Sequence, residues 1–292
     1  MKFWYLLGAS ALLTIMGCAQ KKSETAKPIK KISAADSAKL ANYTDKIGSV
    51  PLFSVQRQHY LDSALAITPT DAQLWQQKAM PLFKQKKYEV GMVYLDSAVK
   101  HDKTGHWLEY RAFIKCIFQK SYRAAIKDFN LAQKQNGNSY VMDHSYQFYK
   151  ALCYLQLNQF DSAEYLIDKE IKEEIKTRKE AHHLHWFYLG IVQSERGKYD
   201  AANQSLDSCL RLYPQFPDAL YYKAEFAMRN KQLKEAVSLL LSAKENLEKG
   251  YRLNEDNAMY ELYPYQVSEY LFDSINKQEL EAYLKKTEQG KK

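Results

Sequence analysis

The sequence predicts an all-α chain of helix pairs, stacked into a right-handed superhelix and closed at its C-terminal end by further helices. Two observations carry the expectation. Small residues recur in register, with Ala98 and Ala132, and again Cys209 and Ala243, 34 residues apart. Each recurrence holds two apolar blocks at helical spacing, split by a short turn that ends in an aromatic residue or leucine. A single pair of this kind cannot bury its own apolar face, so the pairs must stack to share a core. The chain has only 10 glycines in 292 residues, in keeping with a body made almost wholly of helices.

Residues 1–17 read as an export signal. Lys2 gives a positive start, and residues 3–16 form an apolar run broken only by Gly8, Ser10 and Thr14. Spanning a bilayer takes about 20 such residues, so this shorter run fits the apolar core of a secretory signal. Ile15-Met16-Gly17-Cys18 resembles the lipobox of bacterial lipoproteins, although Met16 departs from the usual small residue. The resemblance implies that Cys18 is acylated and begins the mature chain. An ordinary signal with a chance cysteine is the alternative.

Residues 18–33 are polar and Lys-rich and cannot bury enough apolar surface to offset chain entropy, so a flexible tether is expected. The net charge of +8 sits almost wholly in this tether, in Lys2 and in the last eight residues, which leaves residues 32–284 neutral. Nucleic-acid binding needs Lys and Arg clustered on the fold itself, and that signal is missing. A basic tether suits an anionic lipid surface instead.

Residues 34–71 read as a degenerate helix pair, with a first helix near 34–47 and a second over Val55–Ile67 that stops before Pro69. Five pairs follow over 72–247. Trp75 and Ala79 lead through Tyr88 to Gly91, Leu95 and Ala98. Tyr110 and Ala112 lead through Tyr122 to Ala125, Phe129 and Ala132. Tyr149 and Ala151 lead through Phe160 to Ala163 and Ile167. Trp186, Leu189 and Gly190 lead through Tyr199 to Ala202, Leu206, Cys209 and the terminating Pro214. Tyr222 and Ala224 lead through Leu233 to Ala236, Leu240 and Ala243. The two longer intervals are absorbed by Asn136-Gly-Asn-Ser139 and by residues 173–179. Residues 248–287 break the pattern and read as a helical cap for the last open face, with helix resuming near Tyr265 and after Asn276. Residues 288–292 form a basic tail.

This grammar resembles that of the tetratricopeptide repeat family over 72–247. The resemblance implies a concave surface lined by chosen positions of each first helix. Carried over, these are Gln76, Met80 and Phe83; Trp107, Tyr110, Ile114 and Ile117; Phe148, Leu152 and Leu155; Leu184, Phe187 and Ile191; and Tyr221, Glu225 and Met228. An apolar wall of that extent would mark a binding site for a protein or peptide partner. The Lys and Asn clamp that some family members use for acidic chaperone tails is not reproduced. The aromatic-rich stretches Tyr260–Tyr265 and Tyr270–Phe272 could equally fill the groove from within, and the sequence leaves the two arrangements level.

No cofactor, metal or catalytic signature emerges. His182, His183 and His185 cluster at a helix start, where exposed or capping roles are expected; zinc needs three or four ligands and no partner has suitable spacing. Asn254-Glu-Asp-Asn257 lacks the alternating carboxylates, central glycine and distal glutamate of a calcium loop, and reads as a turn that starts a helix. There is no phosphate-cradling loop, HExxH or nucleophile elbow. Cys116, Cys153 and Cys209 sit in apolar stretches as buried thiols, with a disulfide between two of them the alternative.

The expectation is a non-enzymatic adaptor. It would be held by Cys18 at an envelope membrane; Ala19 after the cysteine permits outer-membrane sorting, and the absence of an acidic run there favours the periplasmic side. Rival roles are a subunit of an outer-membrane protein assembly machine and a recruiter of a peptidoglycan hydrolase.

Overall fold

The computed structural model describes residues 32–253, 255 and 257–289. Fourteen helices and one two-stranded hairpin make up the regular structure of these residues, an all-α superhelix of stacked pairs. The first pair is α1 (Ala34–Ser49) and α2 (Val55–Ile67). Five more follow: α3 (Ala72–Lys84) with α4 (Tyr88–His101), α5 (His106–Ile117) with α6 (Tyr122–Asn136), α7 (Tyr146–Gln156) with α8 (Phe160–Arg178), α9 (His183–Glu195) with α10 (Tyr199–Leu212), and α11 (Pro217–Arg229) with α12 (Leu233–Glu248). Two helices close the chain, α13 (Glu269–Asp273) and α14 (Lys277–Gln289).

Small residues set how closely the two helices of a pair approach. Ala79, Ala112, Ala151 and Ala224 on first helices are fully buried, as are Ala125, Ala163 and Ala202 on second helices. At Gly190 even a methyl group is too much, because an added Cβ would lie 2.9 Å from Leu206 Cδ2 and 3.1 Å from the Ala202 carbonyl oxygen. Within each of the five pairs the connecting turn passes through one left-handed residue: Lys86, Lys120, Asn158, Gly197 and Lys231. Only one of these five is glycine, although the left-handed region carries a penalty of about 1–2 kcal/mol for residues with a Cβ.

Helix starts follow from side-chain acceptors. Ser33, Ser54, Asp71 and Ser145 each accept from backbone N–H groups of the first turn, which removes orphan donors there. The insertion after α6 folds as the hairpin β1 (Tyr140–Val141) and β2 (His144–Ser145), with Val141 opposite His144. The other longer interval is taken up by α8 itself, which runs for 19 residues.

One core runs from α3 to α11. The N-terminal pair has a smaller core of its own: Ile47, Leu61, Ala64, Leu65 and Leu74. At the other end Phe272 of α13 is buried against Leu220 and Ala243 of the last pair. Helix does not resume near Tyr265, as the sequence suggested; it begins at Glu269. The described residues of 251–267 are instead irregular, because their backbone and rings are engaged by the superhelix.

Candidate functional site

The segment after α12 travels the length of the repeats and returns. Tyr213, following α10, donates to the Arg252 carbonyl at 3.3 Å. Glu255 meets His144 Nε2 at 2.8 Å beside α7. Tyr260 lies under Lys84 of α3, 4.5 Å from the ring centre. The chain then turns back. Tyr188 of α9 donates to the Pro264 carbonyl at 2.9 Å, and Tyr222 of α11 to the Tyr265 carbonyl at 3.0 Å. The Tyr265 hydroxyl donates to Glu195 at 2.8 Å, and the Val267 N–H to Asp218 at 2.6 Å. Tyr263 is buried between the two runs, its hydroxyl beside that of Tyr149 on α7.

Charge fixes the far end of the excursion. The Glu261 carboxylate accepts from the Tyr88 hydroxyl and faces Lys86 Nζ at 3.4 Å and Lys120 Nζ at 3.3 Å. Burial would raise its pKa, but the Tyr88 hydrogen bond and the lysines outweigh that and hold it below the ordinary carboxylate value. The wall tyrosines shift the other way. Burial drives Tyr188 and Tyr222 well above the ordinary phenol range, so both remain protonated donors. Asp218 is pushed up to about 7 by burial, against the opposing hydrogen bond from the Val267 N–H.

The groove positions expected from the sequence divide by location. Phe83, Ile114, Ile117, Phe148, Leu152, Leu155, Leu184, Phe187 and Ile191 are all buried. Gln76, Met80, Trp107, Tyr110, Tyr221 and Glu225 are half-buried, and Met228 is 43% exposed. The middle of the inner wall is therefore covered rather than open. Some of these side chains never face the groove. Phe148 packs on His185 and Tyr188, with ring centres 5.0 and 5.6 Å apart. Phe187 packs on Phe216 and Tyr222 at 5.2 and 5.8 Å. Both fill the space between successive first helices. The residues that meet the segment are Tyr149, Tyr188 and Tyr222, each one place further along. A signal for them existed: each stands two residues before the small residue of its helix.

The histidines also depart from expectation. His182 is an exposed cap, its Nδ1 accepting from the Leu184 N–H at 3.4 Å, but His185 is buried and its Nδ1 lies 2.7 Å from Glu174 Oε2. His144, remote in sequence, joins them, with ring centres 5.5 Å from His182 and 6.0 Å from His185. Glu170, Glu174 and His185 bring ligand-type atoms within 4.8 Å of one another. Both carboxylates already accept protein donors, Glu170 from Gln147 and Asn138, Glu174 from His185, the His182 N–H and Arg178. That is how buried carboxylates are satisfied within a fold. Burial opposes ionisation of Glu174, yet the hydrogen bond and charge of His185, the His182 N–H and Arg178 together hold its pKa down at about 2.

Cys116 and Cys153 are buried with their sulfurs 3.3 Å apart, and Cys209 is buried separately; all three are free thiols. Cys18 lies outside the described residues, as does the whole of 1–31. Among the described residues no helix is long and apolar enough to cross a membrane.

Residues 194–252 match the sequence profile of the tetratricopeptide repeat. No curated protein is significantly similar to the chain. Solved structures share the fold at low identity. A tetratricopeptide repeat protein from Parabacteroides merdae is 16% identical with a TM-score of 0.56, over 87% of this chain and 98% of its own. PilW, described as a widely conserved type IV pilus biogenesis factor, is 12% identical with a TM-score of 0.57, over 74% of this chain and 95% of its own. PilF of Pseudomonas aeruginosa is 17% identical with a TM-score of 0.51, over 74% of this chain and 93% of its own.

Proposed function

We propose that this chain, whose residues 194–252 match the tetratricopeptide repeat profile and whose fold is that of tetratricopeptide repeat proteins, is a non-enzymatic scaffold that holds a polypeptide partner on its inner wall at a bacterial envelope membrane. The observation that carries the reading is the occupant of that wall. Residues 257–267, an irregular stretch of polypeptide, are bound there through tyrosine donors, a lysine pair and a buried ring. Hydrogen bonds to backbone carbonyls make no demand on sequence, so the same wall suits an extended segment from another protein. The half-buried ends, Gln76 and Met80 on one side and Tyr221, Glu225 and Met228 on the other, offer such a partner its first contacts.

Anchoring is the second part of the reading. It rests on the apolar run of residues 3–16 and on Cys18, with the Lys-rich tether giving the superhelix reach from the membrane. Ala19 after the cysteine permits attachment at the outer membrane, and the lack of an acidic run after it favours the side facing the periplasm. The type IV pilus assignment of PilW is compatible with an envelope setting and adds no more than that.

A photo-crosslinker at Met228 on α11 should capture one defined protein from the envelope fraction, whereas the same group at Val93, on the exposed face of α4, should not. Equal capture at both positions, or none at Met228, defeats the scaffold reading. Cys18→Ser should move the protein to the soluble fraction; retention in the membrane defeats the anchor.

A further inference from the structure

The resident segment reports what the wall selects. Its contacts are of two kinds. The Pro264 and Tyr265 carbonyls are read through backbone and would be supplied by any extended chain. Glu261 and Tyr263 are read through side chains, one by a cationic pocket and the other by a ring-sized one in which it is only 2% exposed.

The cationic pocket has an unusual construction. Lys86 and Lys120 occupy the same place in consecutive pairs, the left-handed residue of the inter-helix turn, with φ of 61° and 57°. The α9–α10 pair places Gly197 there, without the Cβ penalty. The left-handed conformation belongs to the turn, since Asn158 and Lys231 share it in other pairs; what distinguishes Lys86 and Lys120 is that both side chains converge on one carboxylate. Tyr88, two residues after Lys86, completes it as a neutral donor. Two lysines and a hydroxyl around one carboxylate are in excess of what a solvated surface ion pair requires.

We propose that the inner wall is a receptor for an extended segment bearing a carboxylate two residues ahead of an aromatic–proline pair, and that residues 255–267 occupy it until a partner presenting that pattern displaces them. In this chain the pattern is Glu261-Leu262-Tyr263-Pro264. Lys86, Lys120 and Tyr88 take the carboxylate, the pocket beside Tyr149 takes the ring, and Tyr188 and Tyr222 take the carbonyls of the proline and the residue after it. The inference rests on the reading of the inner wall as a polypeptide-binding surface, and narrows it to one chemistry. A tethered competitor acts at an effective concentration of about millimolar, so a partner must bind well or arrive at high local concentration to replace it.

The test uses the full mature chain carrying Cys18→Ser and a fluorescent peptide with the sequence of residues 258–268. Glu261→Gln with Tyr263→Ala weakens the resident segment, and this variant should bind the peptide about tenfold or more tighter than the parent. Adding Lys86→Ala and Lys120→Ala should remove that gain, and so should a peptide with glutamine in place of its glutamate. Equal binding by the parent and the weakened variant overturns the proposal, as does indifference to the lysines. Should the weakened variant fail to fold, the parent alone still decides. Excess peptide should increase proteolytic cleavage within 251–267 of the parent, and unchanged cleavage overturns the proposal. Peptide failure with intact crosslinking from Met228 refutes this chemistry alone; loss of that crosslink refutes the scaffold reading independently.

Discussion

The middle of the inner wall and its C-terminal end are built from the same kind of helix, yet they behave as different materials. On α7 and α9, Leu152, Leu155 and Ile191 are at most 1% exposed. On α11 the equivalent places hold Glu225, half-buried, and Met228, 43% exposed. The helices of the middle are covered on every side, by their partners, by the next pair and by the returning segment. The last pair has one neighbour fewer, and its outer face is covered by Phe272 of α13 with Val267 and Ile275, and by α14. Position in the stack, more than residue type, decides whether an inner-wall side chain is core or surface.

The largest expected effect tests that contrast directly. Leu155→Ala should destabilise the protein by about 2–5 kcal/mol, the cost of emptying a fully packed aliphatic site, whereas Met228→Ala should stay within about 0.5 kcal/mol. Denaturant unfolding of both variants checks it, and similar losses at the two sites would erase the distinction. A smaller effect probes the spacing within a middle pair. Gly190→Ala forces a methyl group against Leu206 and the Ala202 carbonyl, and should cost about 1–3 kcal/mol; a neutral result in the same assay would mean that α9 and α10 can separate without penalty.

The subtlest effect lies in pH dependence, where the two regions should respond in opposite directions. Glu174, behind the middle of the wall, has a folded-state pKa of about 2, below its ordinary 4.5. Its contribution is present above about 4.5 and lost as pH falls toward 2. Asp218 on α11 has a folded-state pKa of about 7, above its ordinary 3.8. Its contribution is greatest below about 4 and lost as pH rises through 7. In thermal melts from pH 2 to 8, Glu174→Gln should flatten the acid limb, and Asp218→Asn should flatten the decline between about 4 and 7. An unchanged slope in either variant removes that residue from the account.

The sequence alone determined the repeating pairs, since close helix approach demands small residues at fixed intervals and Ala79, Ala151, Gly190 and Ala224 can be read without coordinates. It also carried the Tyr149, Tyr188 and Tyr222 series, two places before small residues of their helices, beside Phe148, Phe187 and Tyr221, which the family resemblance marks instead. A helix turns about 100° per residue, so a one-place error moves a ring from the groove to the gap between pairs. Two matters were decided only by the tertiary structure. His144 meets His182 and His185 because the insertion hairpin delivers it there, and the pairing of Glu261 with Lys86 and Lys120 joins groups far apart in the chain. Periodicity encodes what neighbouring turns of helix do to each other. The path of an irregular segment follows from the summed contacts of many weak partners, and no local pattern records that sum.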